Sequence, residues 1–120
     1  MENIYDNHPI DLSYLIEMLG NNRTFIIEFF DTFSTQTPLY LEELDLALTN
    51  QDWERVADCA HKIKPTFGYF GRNDIRDLVH DIERSARQKM APAQIITDVQ
   101  KLKSTLNQLY LQIAEARINL

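Results

Sequence analysis

Apolar residues recur along most of the chain at spacings of three and four, which is the period of an α-helix buried on one face. No stretch alternates convincingly with period two, so the pattern predicts an all-α fold. Long amphipathic helices with short connections are typical of an antiparallel four-helix bundle, and a short first helix is expected to cap one end. The expected helices span about residues 11–19, 22–49, 52–71, 73–89 and 92–117.

Residues near the expected helix ends suit these boundaries. Gly20 is expected to stop the first helix, because glycine readily adopts the left-handed conformation found at helix C-termini. Asn22 and Asn73 are expected to be N-caps of the helices that follow them, and Pro92 suits a first helical position. The apolar series of the first long helix continues across Pro38, so we predict a kink there rather than a break.

The length and composition indicate one domain over residues 1–120. The single cysteine, Cys59, excludes an internal disulfide and fits a reducing compartment. The opening MENIYDNHPI lacks the apolar region of a signal peptide, and no apolar run approaches the roughly 20 residues of a membrane span. We therefore expect a cytoplasmic monomer with no membrane contact. Met1 and the lack of a flanking linker favour a stand-alone protein.

Charge is distributed unevenly along the chain. Residues 1–52 carry a net charge of −9, whereas residues 53–90 carry +2. Nucleic-acid binding is not expected, because there is neither a strongly basic domain nor a motif of stacking aromatics. The basic region would suit an acidic protein partner. The same distribution also fits a solvated acidic surface with no role in binding.

One histidine lies on a polar flank of the predicted 52–71 helix. An α-helix turns by about 100° per residue, and the apolar stripe that begins at Val56 defines the direction of the core. His61 then lies at about 140° from that direction, on a flank shared with Lys64 at about 80° and Gly68 at about 120°. Glycine costs about 1 kcal/mol relative to alanine inside a helix, so Gly68 indicates clearance for another surface. An accessible imidazole beside a cation suits an incoming phosphoryl group, although a lone helical histidine also fits an ordinary surface position.

The next helix carries a polar flank of its own. With Ile75 set at zero, Glu83 lies at about 80°, Arg76 at about 100° and Arg87 at about 120°. If the two helices pack antiparallel, Glu83 can approach His61 and accept a hydrogen bond from its Nδ1–H. That bond would leave Nε2 as the free nucleophilic nitrogen. The position of Glu83 fits a plain solvent-facing glutamate equally well.

The chain resembles the histidine-containing phosphotransfer domain, the HPt module of multistep two-component phosphorelays. The core motif of that family is a histidine followed by a lysine three residues later and a glycine seven residues later, here His61, Lys64 and Gly68. Members tend to place a glutamate or glutamine 22 residues after the histidine, where it contacts the imidazole, and Glu83 has this spacing. Some members have an arginine 26 residues after it, which matches Arg87.

The similarity covers nearly the whole chain, from about residue 12 to residue 111. It includes the segments DWERVADCAHKIKP and DIERSARQ, and a small residue ten positions after the histidine, here Gly71. The chain departs from the family at Pro65, where many members have glycine. Proline supplies no N–H, so the carbonyl of His61 loses its helical partner. The helix is therefore expected to kink or to restart beside the histidine, and the placement of Lys64 depends most on this departure.

The resemblance implies a phosphocarrier without kinase or hydrolase activity of its own. Nε2 of His61 would attack the aspartyl phosphate of one receiver domain and then pass the group to an aspartate of another. Lys64 would steady the phosphoryl oxygens and Glu83 would orient the imidazole. The implied partners are receiver domains of response regulators and hybrid histidine kinases, and no metal or cofactor is implied, because magnesium belongs to the receiver. The residues expected to border the partner's approach are Gly68, Ala57, Lys62 and Arg87.

Two other interpretations compete with a phosphocarrier. Asp58 and Asp77 each stand three residues before a histidine, which is the carboxylate-x-x-His spacing of di-iron bundles. Ligands in those bundles project inward, however, whereas His61 and His80 each lie at about 140° from the core direction of their helix. The second alternative is an HPt-shaped scaffold that binds receiver domains without accepting phosphate.

Overall fold

The computed structural model describes residues 9–120, and over this range the chain forms five α-helices and no strand. The prediction of an all-α bundle with a short N-terminal helix is confirmed, with boundaries within about two residues of those expected. Met1 and His8 lie outside the described residues. The helices are α1 Ser13–Leu19, α2 Arg23–Thr49, α3 Trp53–Tyr69, α4 Asn73–Arg87 and α5 Pro92–Ile118.

Side-chain capping explains where α2 and α3 begin. The Asn22 side chain accepts a hydrogen bond from the backbone N–H of Phe25 at 3.1 Å, as predicted for an N-cap. Asp52 plays the same part for α3, because its Oδ1 accepts from the N–H of Arg55 at 3.2 Å. These bonds satisfy amide groups that the first turn of a helix leaves without intrahelical partners.

The prediction that Asn73 caps α4 is wrong. Asn73 is the first helical residue, and Arg72 occupies the cap position without a side-chain cap hydrogen bond. The Arg72 side chain is buried and donates instead to both carboxylate oxygens of Asp74 at 3.0 Å and to Gln112 of α5 at 2.9 Å. A buried guanidinium requires such partners, so the start of α4 is fixed by this ion pair rather than by an asparagine cap.

The helices pack around one apolar core in a ring. α3 contacts α4 and α2, and α5 contacts the same two helices on the opposite side, while α1 rests against α2. An aromatic cluster that includes Phe33, Phe67 and Phe70 fills the core at the end of α3, with ring centroids 4.9 to 6.1 Å apart. No helix within residues 9–120 has the length and apolarity needed to cross a lipid bilayer. The close packing of α3 on α4 brings together the two polar flanks identified in the sequence.

Both prolines inside helices are accommodated without a break. α2 continues through Pro38 and α3 continues through Pro65. Pro65 has no N–H to donate to the carbonyl of His61, one turn earlier. Despite this missing hydrogen bond, α3 does not restart after His61. His61 and Lys64 therefore keep the directions that helical geometry gives them.

Gly71 lies where the N-terminal segment packs against the end of α3. Gly71 has a φ of +70°, and the N–H of Asp11 donates to the carbonyl of Phe70 at 2.8 Å. A Cβ at Gly71 would lie 2.6 Å from the Cβ of Asp11, well inside van der Waals contact. This position therefore needs glycine both for its backbone conformation and for the close approach of the N-terminal segment.

We expect Gly71→Ala to lower the free energy of unfolding by more than about 1 kcal/mol, because alanine meets both the left-handed φ and the clash with Asp11. Urea unfolding monitored by circular dichroism measures this change. Gly68→Ala is the matched control, since Gly68 is helical and a Cβ there has no atom within 4 Å. Equal stability of the two variants would contradict this account of Gly71.

Candidate functional site

The imidazole of His61 lies on the outer surface of the α3–α4 pair. Its side chain is 66% exposed, and its Nδ1 lies 2.9 Å from Oε2 of Glu83 on α4. An ionised carboxylate can only accept a hydrogen bond, so Nδ1 carries the hydrogen in this pair. In a neutral imidazole the other nitrogen, Nε2, then keeps its lone pair. The arrangement thus presents an oriented imidazole with a nucleophilic nitrogen.

Glu83 lies between two basic groups and is only 12% exposed. Its second oxygen, Oε1, accepts a hydrogen bond from Nζ of Lys64 at 2.8 Å. Partial burial alone would raise the pKa of this carboxyl group. The hydrogen bond and charge of Lys64, together with those of His61, outweigh burial and hold the pKa of Glu83 below its ordinary value. Glu83 is therefore ionised near neutral pH, as the hydrogen bond from Nδ1 of His61 requires.

Lys64 remains at the site despite Pro65 directly after it. Its Nζ bonds to Glu83 and also lies 3.3 Å from Nδ1 of His80, so two acceptors on α4 hold one ammonium group. An ammonium group has three hydrogens, and no other described residue accepts the third. The side chain is partly exposed, at 23%.

Arg87 of α4 and Asp58 of α3 form an ion pair between the two helices, on the side of His61 away from Lys64. Nη2 of Arg87 lies 3.0 Å from Oδ1 of Asp58 and 3.8 Å from Oε2 of Glu83. Asp58 stands one turn before His61 on α3. Because both side chains are largely exposed, this ion pair contributes little to stability. It places the Arg87 guanidinium beside the carboxylate of Glu83.

Gly68 leaves open space beside the site. It has an ordinary helical backbone, and a Cβ built on it would meet no atom within 4 Å. It also lines a surface groove with Pro65, Tyr14 and Arg76, where the end of α3 meets α1 and the start of α4. Neither backbone strain nor packing requires a glycine here, in contrast to Gly71.

Among the residues expected to border the partner's approach, one is buried and another faces α2. Ala57 has no exposed surface and belongs to the core, so its assignment to an accessible flank is wrong. α3 is packed between α2 and α4, and its buried arc is wide enough to include Ala57. Lys62 is exposed but faces α2, where its Nζ lies 5.2 Å from the ring centroid of Tyr40 and 3.8 Å from Oε2 of Glu43.

His80 is the residue at this site that the sequence interpretation missed. The sequence indicates His80 only as a candidate metal ligand, although helical projection places it on the same side of α4 as Glu83. Within residues 9–120, no three histidine, cysteine, aspartate or glutamate side chains come together in a way that could hold a metal ion. Asp58 instead pairs with Arg87, and His61 with Glu83.

Comparison with known proteins identifies the family of the chain. The family model described as Hpt domain matches residues 28–116, which is most of the chain and includes every residue of the site. No curated protein and no solved structure gave a significant match. The chain therefore belongs to the Hpt domain family, whose members are phosphocarriers that transfer phosphoryl groups through a histidine in two-component phosphorelays.

Proposed function

We propose that His61 accepts a phosphoryl group from the aspartate of one receiver domain and passes it to an aspartate of another. The observation that carries this proposal is the bond between Nδ1 of His61 and Oε2 of Glu83. Because this bond uses the hydrogen on Nδ1, the lone pair of the largely exposed imidazole is on Nε2. In the accepting step, Nε2 forms a bond to phosphorus while the bond between phosphorus and the aspartyl oxygen breaks. The aspartate leaves as a carboxylate, and the return step reverses these changes.

Glu83 also suits the charge that develops in this reaction. When Nε2 bonds to phosphorus and Nδ1 keeps its hydrogen, the ring acquires positive charge. The carboxylate of Glu83, 2.9 Å from Nδ1, lies where it stabilises that charge. Neither this step nor its reverse requires a proton to leave Nδ1, so the chain needs no separate general base. Magnesium for the aspartyl phosphate would be supplied by the receiver domain, and the chain would need no cofactor of its own.

Lys64 would bind a phosphoryl oxygen with its third N–H. A hydrogen bond from a charged group is worth roughly 1.5–3 kcal/mol, and each 1.36 kcal/mol changes a rate about tenfold. We therefore expect Lys64→Ala to slow phosphoryl acceptance by about ten- to a hundredfold. Rapid-quench transfer from a phosphorylated receiver domain measures this rate. A wild-type rate in the variant would exclude Lys64 from the transferring site.

The groove beside Gly68 suits the docking of a large partner. It lies on the same flank of α3 as His61, and its lining includes apolar side chains and Arg76. A receiver domain that covers this groove could bring its aspartyl phosphate to Nε2 without meeting a side chain at Gly68. We propose that this surface and the site together form the docking face.

The experiment that tests the proposed function uses a radiolabelled receiver domain. The receiver is phosphorylated on its aspartate, freed of the donor and mixed with the chain. We expect rapid transfer of label to the chain, in an acid-labile and base-stable form typical of phosphohistidine, with loss of label from the receiver. Stable binding without any transfer would instead support a scaffold that only captures receivers.

A further inference from the structure

His80 contacts the ammonium group on which the proposed function depends. Its Nδ1 lies 3.3 Å from Nζ of Lys64, while Oε1 of Glu83 lies 2.8 Å from the same atom. An ammonium group can only donate, so Nδ1 of His80 accepts the hydrogen bond and the ring hydrogen resides on Nε2. The two acceptors stand three residues apart on one face of α4.

We propose that His80 is a positioning residue, which holds the Lys64 ammonium where its third N–H meets a phosphoryl oxygen at His61. This inference rests on the proposed function of His61. A lysine side chain has a flexible four-carbon stem and a head group that rotates freely. A single bond to Glu83 would leave the head group able to swing around that oxygen. A second acceptor on the same helix restricts this motion and fixes the direction of the remaining hydrogen.

His80 acts in this account through Lys64 alone and does not touch the transferring group. Glu83 holds both His61 and Lys64, so its removal disturbs two groups at once. Removal of His80 affects only the lysine. Variants at position 80 can therefore separate the orientation of the ammonium from the orientation of the imidazole.

The test compares two variants with the wild-type chain in the transfer assay. His80→Ala removes the acceptor, whereas His80→Asn places Oδ1 where Nδ1 was. The hydrogen bond from the Lys64 ammonium to His80 does not touch the phosphoryl group, so its loss should slow transfer less than the removal of Lys64 does. We expect His80→Ala to slow phosphoryl acceptance by about three- to tenfold and His80→Asn to stay within about twofold of the wild type. Rescue by asparagine distinguishes a hydrogen-bond acceptor from a merely structural side chain.

The Lys64→Ala background gives the decisive comparison. If His80 acts through Lys64, then adding His80→Ala to Lys64→Ala should slow transfer by less than about twofold more. Asp77→Ala is the control for an exposed change on the same helix, one turn before His80, and should transfer normally. If His80→Ala has a clearly lower melting temperature than the wild type, His80→Leu replaces it in the test. Leucine keeps the bulk of the side chain but offers no hydrogen-bond acceptor.

The outcomes separate this inference from the proposed function. A wild-type chain that accepts no label would overturn both. Normal transfer by His80→Ala in an otherwise active chain overturns only the role of His80. The role of His80 is also overturned if His80→Asn transfers as slowly as His80→Ala. It is overturned as well if His80→Ala lowers the transfer rate equally in the Lys64→Ala background.

Discussion

His61→Gln should accept no phosphoryl group from a receiver domain and should unfold at nearly the temperature of the wild-type chain. Glutamine has no nitrogen with an available lone pair, so the bond to phosphorus cannot form. The imidazole is two-thirds exposed and contributes nothing to the apolar core. Glu83 keeps its bond to Lys64 in the variant, so its carboxylate is not left without a partner. Surface substitutions of this kind usually change stability by less than about 0.5 kcal/mol.

The measurement pairs receiver-to-chain transfer with a thermal melt on the same preparation. The other two histidines of the chain, His8 and His80, serve as internal controls. Label that persists on His61→Gln, or label mapped to His80 or His8 in the wild type, would contradict the assignment. A large fall in melting temperature would instead show that His61 supports the fold.

Gly68→Gln should fold normally and yet accept phosphate about a hundredfold more slowly. A Cβ at this position meets no atom within 4 Å, and the backbone is helical, so neither a clash at Cβ nor backbone strain opposes the substitution in the free chain. That side chain would project into the space through which a receiver domain must reach Nε2 of His61. Displacing reacting groups by about 1 Å can cost on the order of a hundredfold in rate.

Gly68→Ala provides the control for this prediction. Alanine is better than glycine in a helix by roughly 0.5–1 kcal/mol, so this variant should be more stable than the wild type by up to that amount. Thermal melts and transfer rates on both variants separate stability from access. Normal transfer by Gly68→Gln would show that Gly68 is not needed for a receiver domain to reach His61. A collapse in melting temperature would point to close packing at this position.

The fold and the direction of His61 follow from helical periodicity. An amphipathic helix fixes the direction of every side chain relative to its buried stripe, so the exposed flank of His61 could be read from Val56 and Phe67 alone. The same geometry on the next helix indicated Glu83, and antiparallel packing brought the two within 2.9 Å. The direction of His61 depends on local geometry, which the apolar pattern specifies. The contact with Glu83 also requires antiparallel packing of the two helices, and the apolar pattern alone fits a solvent-facing Glu83 equally well.

Other features depend on tertiary distances that a projection does not contain. Ala57 is buried because α3 is packed against two neighbouring helices, and the width of the buried arc depends on how closely they approach. The partners of Lys62 lie on α2, whose position relative to α3 cannot be obtained from the helical projections of α3 and α4. The contact between Lys64 and His80 depends on the path of a flexible side chain, which spacing along the sequence does not determine.

The central claim is that Nε2 of His61 receives the phosphoryl group while Glu83 retains the hydrogen bond from Nδ1. The most direct test is NMR spectroscopy of the chain with ¹⁵N-labelled histidine after phosphorylation by a receiver domain. Long-range proton–nitrogen spectra, with phosphorus coupling, identify the substituted nitrogen and its residue. We predict a phosphorus–nitrogen bond at Nε2 of His61, with Nδ1 still protonated. A phosphoryl group on Nδ1, or on the ring of His80, would contradict the account.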